Sequence, residues 1–457
     1  MNRKIGPLFT IIFLIMTCIV PVSANSAIKS WKGSDGNGTY VMEKDCPVIC
    51  EKEELIFDIG SFPSAYFKDA EEFSAYDASV TAIYTLHNPT DSDLSVRLVF
   101  PFGKAPQYLY PFDFFTEEES GNYEILGNGQ VLDKKLRYSL MTEDDFDVAR
   151  DVDRLRDEYQ VDVFYHKDLP VHEYVFEASG IEKNTSEFPE CFLSLDTDPS
   201  LQKLILESCR SFAYDPDGHF EITIEPLDVQ GTYRFYVLGE DLKQEPEWSG
   251  MFLKEEEVPG EMLLREKNEL TLEELILSEK ENDRISDIDW YNVCIDYLKE
   301  RGNLMYDTAP FRNARNSLLR WYEYELNFNA GETLTNSVKA PIYPDINGYY
   351  EPPVYTYRYL LSPASTWADF SNLNIRVNTS YVMIDNKDFS QEEGTYRLHY
   401  DQLPEGELSF ALSENASPKH SGGHVFYLVI GIMAAAAVLF LLLLSAVIRL
   451  FRRLIRK

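Results

Sequence analysis

The side chains that could do chemistry are scattered and form no catalytic pattern. Seven histidines are present, none in H-E-x-x-H or another metal-binding spacing. His172-Glu173 has no partner at helical distance, and the His420/His424 pair lies in a polar stretch where ligands would be exposed. G-x-S-x-G, Walker A and G-x-G-x-x-G patterns are absent, so acyl transfer and nucleotide use have no signature. Asp215-Pro216-Asp217-Gly218 imitates the middle of an EF-hand loop. Its first ligand position would be Ala213 and its twelfth Ile224, so it reads as a turn, as does Gly33–Gly38. Carboxylates are abundant, with 76 Asp and Glu, but a glycosidase pair is defined by its separation in space. No catalytic residue, cofactor site or metal site is therefore assigned.

What remains is aromatic. Tyr349, Tyr350, Tyr355, Tyr357 and Tyr359 fall within one Pro-containing segment. Their rings offer an apolar face with a polar tip, suited to stacking on sugars or to a protein contact. The plainer alternative is a tyrosine-rich strand face packed against a partner sheet.

Disulfides at the density the cysteines allow would support the fold rather than define it. Without Cys18, which lies in an N-terminal apolar run, five remain, and an odd count leaves at least one unpaired. Cys46 and Cys50 could close a small local disulfide, and Cys191 could bridge to Cys209. Cys294 reads as a buried thiol beside a helix face.

The elements that would position these groups are mainly strands, with a few helices, in an α+β arrangement. Val80–Leu86 and Leu94–Phe100 alternate around a turn at 87–93 and predict a hairpin. Asn128-Gly129 predicts a second, tight hairpin. Thr142 with Asp145 predicts a helix carrying Val148, Val152, Leu155 and Tyr159, and strands are expected over 161–165 and 172–176. Asp198-Pro199 would open a helix bearing Leu201, Leu204 and Ile205. Phe220–Ile224 and Tyr233–Val237 alternate as strands. Thr271 with Glu274 is a capping box, and Ser286 with Asp289 opens a helix whose face is Ile288, Tyr291, Ile295 and Leu298 and which ends at Gly302. Beyond it, 321–328, 334–338, 355–359, 373–377, 394–400 and 408–412 read as short strands of a sandwich.

Both ends carry membrane signals. Arg3-Lys4, an apolar run and Val22-Ser23-Ala24 describe a signal peptide cleaved after Ala24. A lipidated Cys18 is the alternative, although the small residue usual before such a cysteine is missing. Val425–Ile448 is uncharged over 24 residues, or about 36 Å of helix, enough to cross a bilayer. Arg449, Arg452, Arg453, Arg456 and Lys457 then place the tail inside. Gly431 and Ala435 have the spacing of a helix-pairing face, open to a homodimer or a membrane-protein partner. The expected organisation is a signal peptide (1–24), a flexible lead-in (25–50), a strand-rich α+β region (51–244) and an acidic helical insertion or bridge (245–305). A β-sandwich-like domain (306–412), a stalk (413–424), a transmembrane helix (425–448) in contact with lipid and a basic tail (449–457) follow.

Asn88-Pro89-Thr90-Asp91 followed by Val96 to Phe100-Pro101 resembles the opening strands of uncharacterised bacterial exported families. Tyr357-Arg358-Tyr359-Leu360-Leu361 with Trp367 and Leu373-Asn374-Ile375 is similar to a later strand-turn-strand of such families. The likeness covers about a third of the chain. It implies a β-rich ectodomain of unknown function and assigns no functional residue.

The formal charge of −34 argues against nucleic acid as a partner. The leader is basic by two charges and the anchor and tail by five, so 25–424 carry −41. These features predict a single-pass ectodomain that binds an extracellular ligand or serves as an accessory protein. The rivals are a surface hydrolase with Asp/Glu catalysts and a subunit of a membrane complex.

Overall fold

The computed structural model describes residues 23–33, 46–63, 77–103, 123–141, 146–180, 190–207, 209–224, 231–253, 256–258, 260–281, 283–307, 309–384, 388–392 and 394–420. The expected leader up to residue 22, transmembrane segment 425–448 and tail 449–457 lie outside these. Among the described residues no helix is long and apolar enough to cross a membrane. The architecture is mainly β, 55% strand and 12% helix in several sheets, as the α+β expectation required.

Two bodies share the chain. The first is a sandwich. Its large sheet has eight strands in the order 390–392, 395–402, 371–379, 49–59, 78–87, 333–341, 124–127, 130–131. Facing it are a four-stranded sheet (27–33, 94–103, 318–328, 134–140) and a smaller sheet built on Val354–Leu360 and Leu408–Ser413. The inward residues of all three form one core, including Leu55, Phe57, Val80, Tyr84, Leu98, Phe100, Tyr324, Tyr357, Phe410 and Ile375. Alternation along each strand puts every second side chain there.

The second body has three layers. Its central sheet runs 261–271, 170–179, 232–239, 202–207, 304–307. Thr232–Gly239 turns Tyr233, Phe235 and Val237 toward a second five-stranded sheet, and Tyr236 and Leu238 toward helices Leu272–Ser278 and Asp287–Arg301. The Asp287–Arg301 helix is the wedge between the bodies. All residues from Asp289 to Leu298 are buried, because the sandwich strand Lys134–Leu140 covers the side that the layered body leaves open.

Several expectations hold in detail. Thr271 and Glu274 exchange both capping-box hydrogen bonds, Ser286 caps the next helix, and Gly302 ends it with φ 71°. Asn128 and Gly129 take positive φ, as a tight hairpin of this hand demands.

Others are corrected. The strands at 78–87 and 94–103 exist but do not pair; they lie in opposite sheets, joined by an arch over the sandwich edge. Leu318–Phe328 and Thr333–Pro341 are joined the same way, and Asn88 locks the two arches together. Fully buried, its Nδ2 donates to Ser92 O (2.8 Å) and Asn329 O (2.9 Å), while its Oδ1 accepts from Thr90 N (3.0 Å) and Thr90 Oγ1 (2.7 Å). The expected helix at 201–205 is the strand Gln202–Glu207, buried on both faces; a short apolar run does not distinguish the two by periodicity. Residues 161–165 form turns, with Val161 and Val163 exposed. The 142–159 helix is shorter, Val148–Asp153 capped by Asp147, and Thr142–Asp145 lie outside the described residues. In the expected helical insertion, 247–253, 256–258 and 261–271 are strands. Part of the expected flexible lead-in is the strand Ala27–Gly33, and Lys419–His420 of the expected stalk pairs with Tyr350–Glu351. Strand pairing also crosses the expected boundaries: 318–341 pairs with 78–103 and 124–140, and 371–379 pairs with 49–59.

Candidate functional site

Among the described residues, polar side chains gather in a sealed ladder inside the sandwich, in an ionic cluster between the bodies, and in an open groove at the sandwich lip.

The ladder starts at Glu53. On Ile49–Ile59 it is in phase with Leu55, Phe57 and Ile59, so alternation drives its carboxyl into the core, where it is fully buried. Glu53 Oε2 accepts from Asn25 Nδ2 (3.2 Å), and Oε1 has no hydrogen-bond partner. From there the chain runs on through hydroxyls. Tyr84 Oη donates to Asn25 Oδ1 (3.2 Å) and accepts from Ser26 N (3.2 Å), and Tyr324 Oη lies 2.9 Å from both Ser26 Oγ and Asn336 Oδ1. Burial pushes the Glu53 carboxyl up to about 8, with only the Asn25 amide acting against it. Burial, then the Glu53 charge, hold Tyr359 well above an ordinary phenol.

The ionic cluster centres on Arg137, 1% exposed, on Lys134–Leu140. Its Nε donates to both oxygens of Asp289 (3.0 and 3.1 Å) on the wedge helix. Nη1 donates to Glu323 (2.6 Å) and Asp157 (3.0 Å), and Nη2 to Arg156 O (2.7 Å). Lys29 bridges the same Asp157 (2.9 Å) and Glu323 (2.6 Å), and Arg97 reaches Asp157 (2.6 Å). Partial burial raises the Asp157 carboxyl, but Lys29 and Arg97 outweigh it and hold it well below the usual carboxylate range. One helical turn on, Asn292 and Asp296 receive Gln160 and Arg156. Arg137 and Lys29 share Glu323 within the sandwich sheet, while Arg137 also holds Asp289 on the wedge helix, so the cluster ties that helix to the sandwich.

The groove lies where Thr395–Gln402 of the large sheet diverges from Leu408–Ser413 of the small one. Its volume is about 430 Å³. Leu361, Phe389, Leu398 and Phe410 line its apolar part, and Asp388, Tyr400 and Glu407 its polar part. Phe389 meets Phe410 edge-on at 6.1 Å, so the floor is continuous with the core. Glu407 accepts from Leu361 N and Ser362 N, which fixes the 3-10 turn Ser362–Thr366 beside the opening. Burial, with the Asp388 charge, raises the Tyr400 phenol. A size of a few hundred Å³ with an apolar floor and a few polar groups is the usual form of a small-ligand site.

The five tyrosines singled out by sequence divide. Tyr355, Tyr357 and Tyr359 are 9%, 0% and 1% exposed and face the sandwich core, as the packed-face alternative has it. Tyr349 is 69% exposed and stacks on His420 (6.1 Å), and Tyr350 meets the same imidazole edge-on (5.2 Å). The expected disulfides are absent: Cys46, Cys50, Cys191 and Cys209 are all free thiols, as is Cys294. Cys191 and Cys209 each sit opposite Ile224, on either side of the strand His219–Ile224, and a whole strand therefore separates them. Asp215–Gly218 is the turn between Cys209–Tyr214 and His219–Ile224. Among the described residues no group of three or more metal-ligating side chains gathers. Sequence reading missed Glu53, Arg137 and the groove; the phase of Glu53 with Leu55 and Phe57 was its one visible signal.

No family model matches the chain, and no curated protein matches it. A solved structure from Legionella pneumophila, described as a "putative nutrient binding protein", is similar over 86% of this chain and 71% of its own, at 8% identity and a TM-score of 0.32. A likeness of that depth carries neither fold nor ligand across.

Proposed function

We propose that the chain is an exported, membrane-anchored binding protein that holds a compact extracellular ligand in the groove at its sandwich lip. The observation that carries this reading is the groove itself: an apolar floor of Phe389, Leu398 and Phe410 with Asp388 and Tyr400 placed as polar contacts. No lysine or arginine is among the described residues lining the groove, which favours a neutral or cationic ligand with hydroxyl or amine donors, and the −41 charge of 25–424 repels anions. Anchoring rests on the apolar segment 425–448 and its basic flank.

The test is a thermal-shift and calorimetry panel of neutral sugars, polyols, alkyl amines and aryl amines on the wild type, Phe389→Ala and Asp388→Asn. A ligand that stabilises the wild type and loses at least about tenfold in affinity in both variants supports the groove. Stabilisation by anions alone, or ligands indifferent to both substitutions, would reject it. That two carboxylates, Asp388 and Glu407, line one groove favours a hydrolase as the second reading. Glycan cleavage abolished by both Asp388→Asn and Glu407→Gln would put that reading in place of simple binding.

A further inference from the structure

Glu53 is a carboxyl without a cation. No lysine or arginine among the described residues approaches it, its Oε1 is unpaired, and its surroundings are Asn25, Tyr84 and Tyr359 in a dry core. Burying such a group without a counter-charge is costly, and in a neutral carboxyl the O–H on Oε1 would lack an acceptor among the described residues. Asn25, Ser26 and Ala27 are each 0% exposed, so this stretch of chain runs inside the sandwich. Chain termini usually lie at the surface. Here the residue touching Glu53 is the one that follows the expected cleavage point.

We propose that removal of the leader after Ala24 completes the fold, because the α-ammonium it creates on Asn25 becomes the buried counter-ion of Glu53. Hydrolysis by a membrane signal peptidase adds one water across the Ala24–Asn25 peptide bond. Ala24 leaves as a carboxylate, and Asn25 keeps the amine, which takes up a proton. In the uncut chain Asn25 N donates to Leu360 O (2.9 Å), while the same residue's Nδ2 already reaches Glu53 (3.2 Å). Main-chain and side-chain nitrogens of one asparagine lie within about 5 Å of each other, so the freed terminus lies within about 8 Å of Oε2 and has to turn toward the carboxyl to pair with it. An ammonium has three donors. One stays on Leu360 O, and Glu53 supplies an acceptor for another. Ser23–Ala24, paired with Tyr359–Leu360 in the uncut chain, is the segment that leaves. Cleavage accompanies export, before the sandwich closes, so burial of the bond does not oppose it.

This inference rests on the exported reading, and the experiment separates the two. Full-length chain is expressed in a secreting bacterium, and the N-terminus of the membrane-held protein is sequenced. Asn25 is expected, and any other terminus overturns both leader processing after Ala24 and the pairing. With Asn25 confirmed, the native protein is treated at pH 7 with an amine-acylating reagent and mapped by mass spectrometry. The α-amine is expected to resist acylation until the protein is unfolded, and ready acylation in the native state overturns the pairing. A version processed to leave one extra alanine before Asn25 is then compared in wild-type and Glu53→Gln backgrounds. The extension is expected to lower the folding constant at least about tenfold more with Glu53 than with glutamine. Equal losses in the two backgrounds overturn the pairing while leaving export intact.

Discussion

Replacing Arg137 with methionine isolates what the ionic cluster contributes to joining the bodies. Methionine keeps the bulk of the stem and removes the fork. Glu323 retains Lys29 at 2.6 Å and Asp157 retains Lys29 and Arg97 at 2.9 and 2.6 Å, so neither is stranded. Asp289 is different: it is 2% exposed, and its remaining side-chain partner is Tyr138 N at 3.2 Å. An unpaired buried carboxylate left by its partner's removal costs about 3–5 kcal/mol. Arg137→Met is therefore expected to cost that much in urea unfolding followed by tryptophan fluorescence, since Trp290 sits on the wedge helix and Trp321 on the adjoining strand. Asp289→Asn in the Arg137→Met background should recover more than about 1 kcal/mol, because the two side chains share one interaction. Asp157→Asn should cost less than about 1 kcal/mol, as Asp157 is half exposed and solvent screens its pairs. A cost below about 1 kcal/mol for Arg137→Met, or equal costs for Asp157→Asn and Asp289→Asn, would refute the reasoning.

Three further outcomes follow from the same structure. Asn88→Ala breaks both links that hold the arches, leaving Asn329 O without this donor while Ser92 O keeps Thr90 Oγ1, so it should cost about 1–3 kcal/mol in urea unfolding, whereas Thr90→Ala should cost less. Thiol titration in guanidinium without reductant should find five reactive thiols after leader removal; a count of one or three would show disulfides. In a chain whose leader is retained, stability should fall as pH rises from 4.5 through 8. Burial raises the folded-state pKa of Glu53 to about 8, so its contribution is fully present below 4.5 and lost above 8. Tyr84, Tyr359 and Cys50, which face it, are all pushed upward and titrate above that window. Glu207, raised by burial to about 7, adds a slope of the same sign, so Glu53→Gln should reduce the slope without abolishing it, and an unchanged slope in that variant would place its origin elsewhere.

Local rules were legible where a single segment decides its own structure. The Thr271 capping box, the Ser286 cap, the Asn128-Gly129 hairpin and the alternation of Phe220–Ile224, Tyr233–Val237 and Leu373–Val377 all depend on neighbours a few residues away. Leu204-Ile205-Leu206 was misread because a central strand buried on both faces has lost the period that identifies it. The candidate groove was not legible at all: its floor is assembled from residues at 361, 389, 398 and 410, brought together by two sheets that part at one edge.

The sequence by itself determined a strand-rich, strongly acidic chain and, where a strand alternates, which of its side chains turns inward, because burial of apolar surface on one face is read directly from period. Only the tertiary structure decided which strands are neighbours. The faces of 78–87 and 94–103 are equally well buried across a sandwich as side by side, and alternation is the same in both. The same indifference hid the roles of the inward polar residues. Arg137 and Asp289 lie 152 positions apart and Asn25 and Glu53 lie 28 apart, and each becomes tolerable in a core only beside the other. A charge declares its position in a strand locally, but its partner is chosen by how distant segments pack.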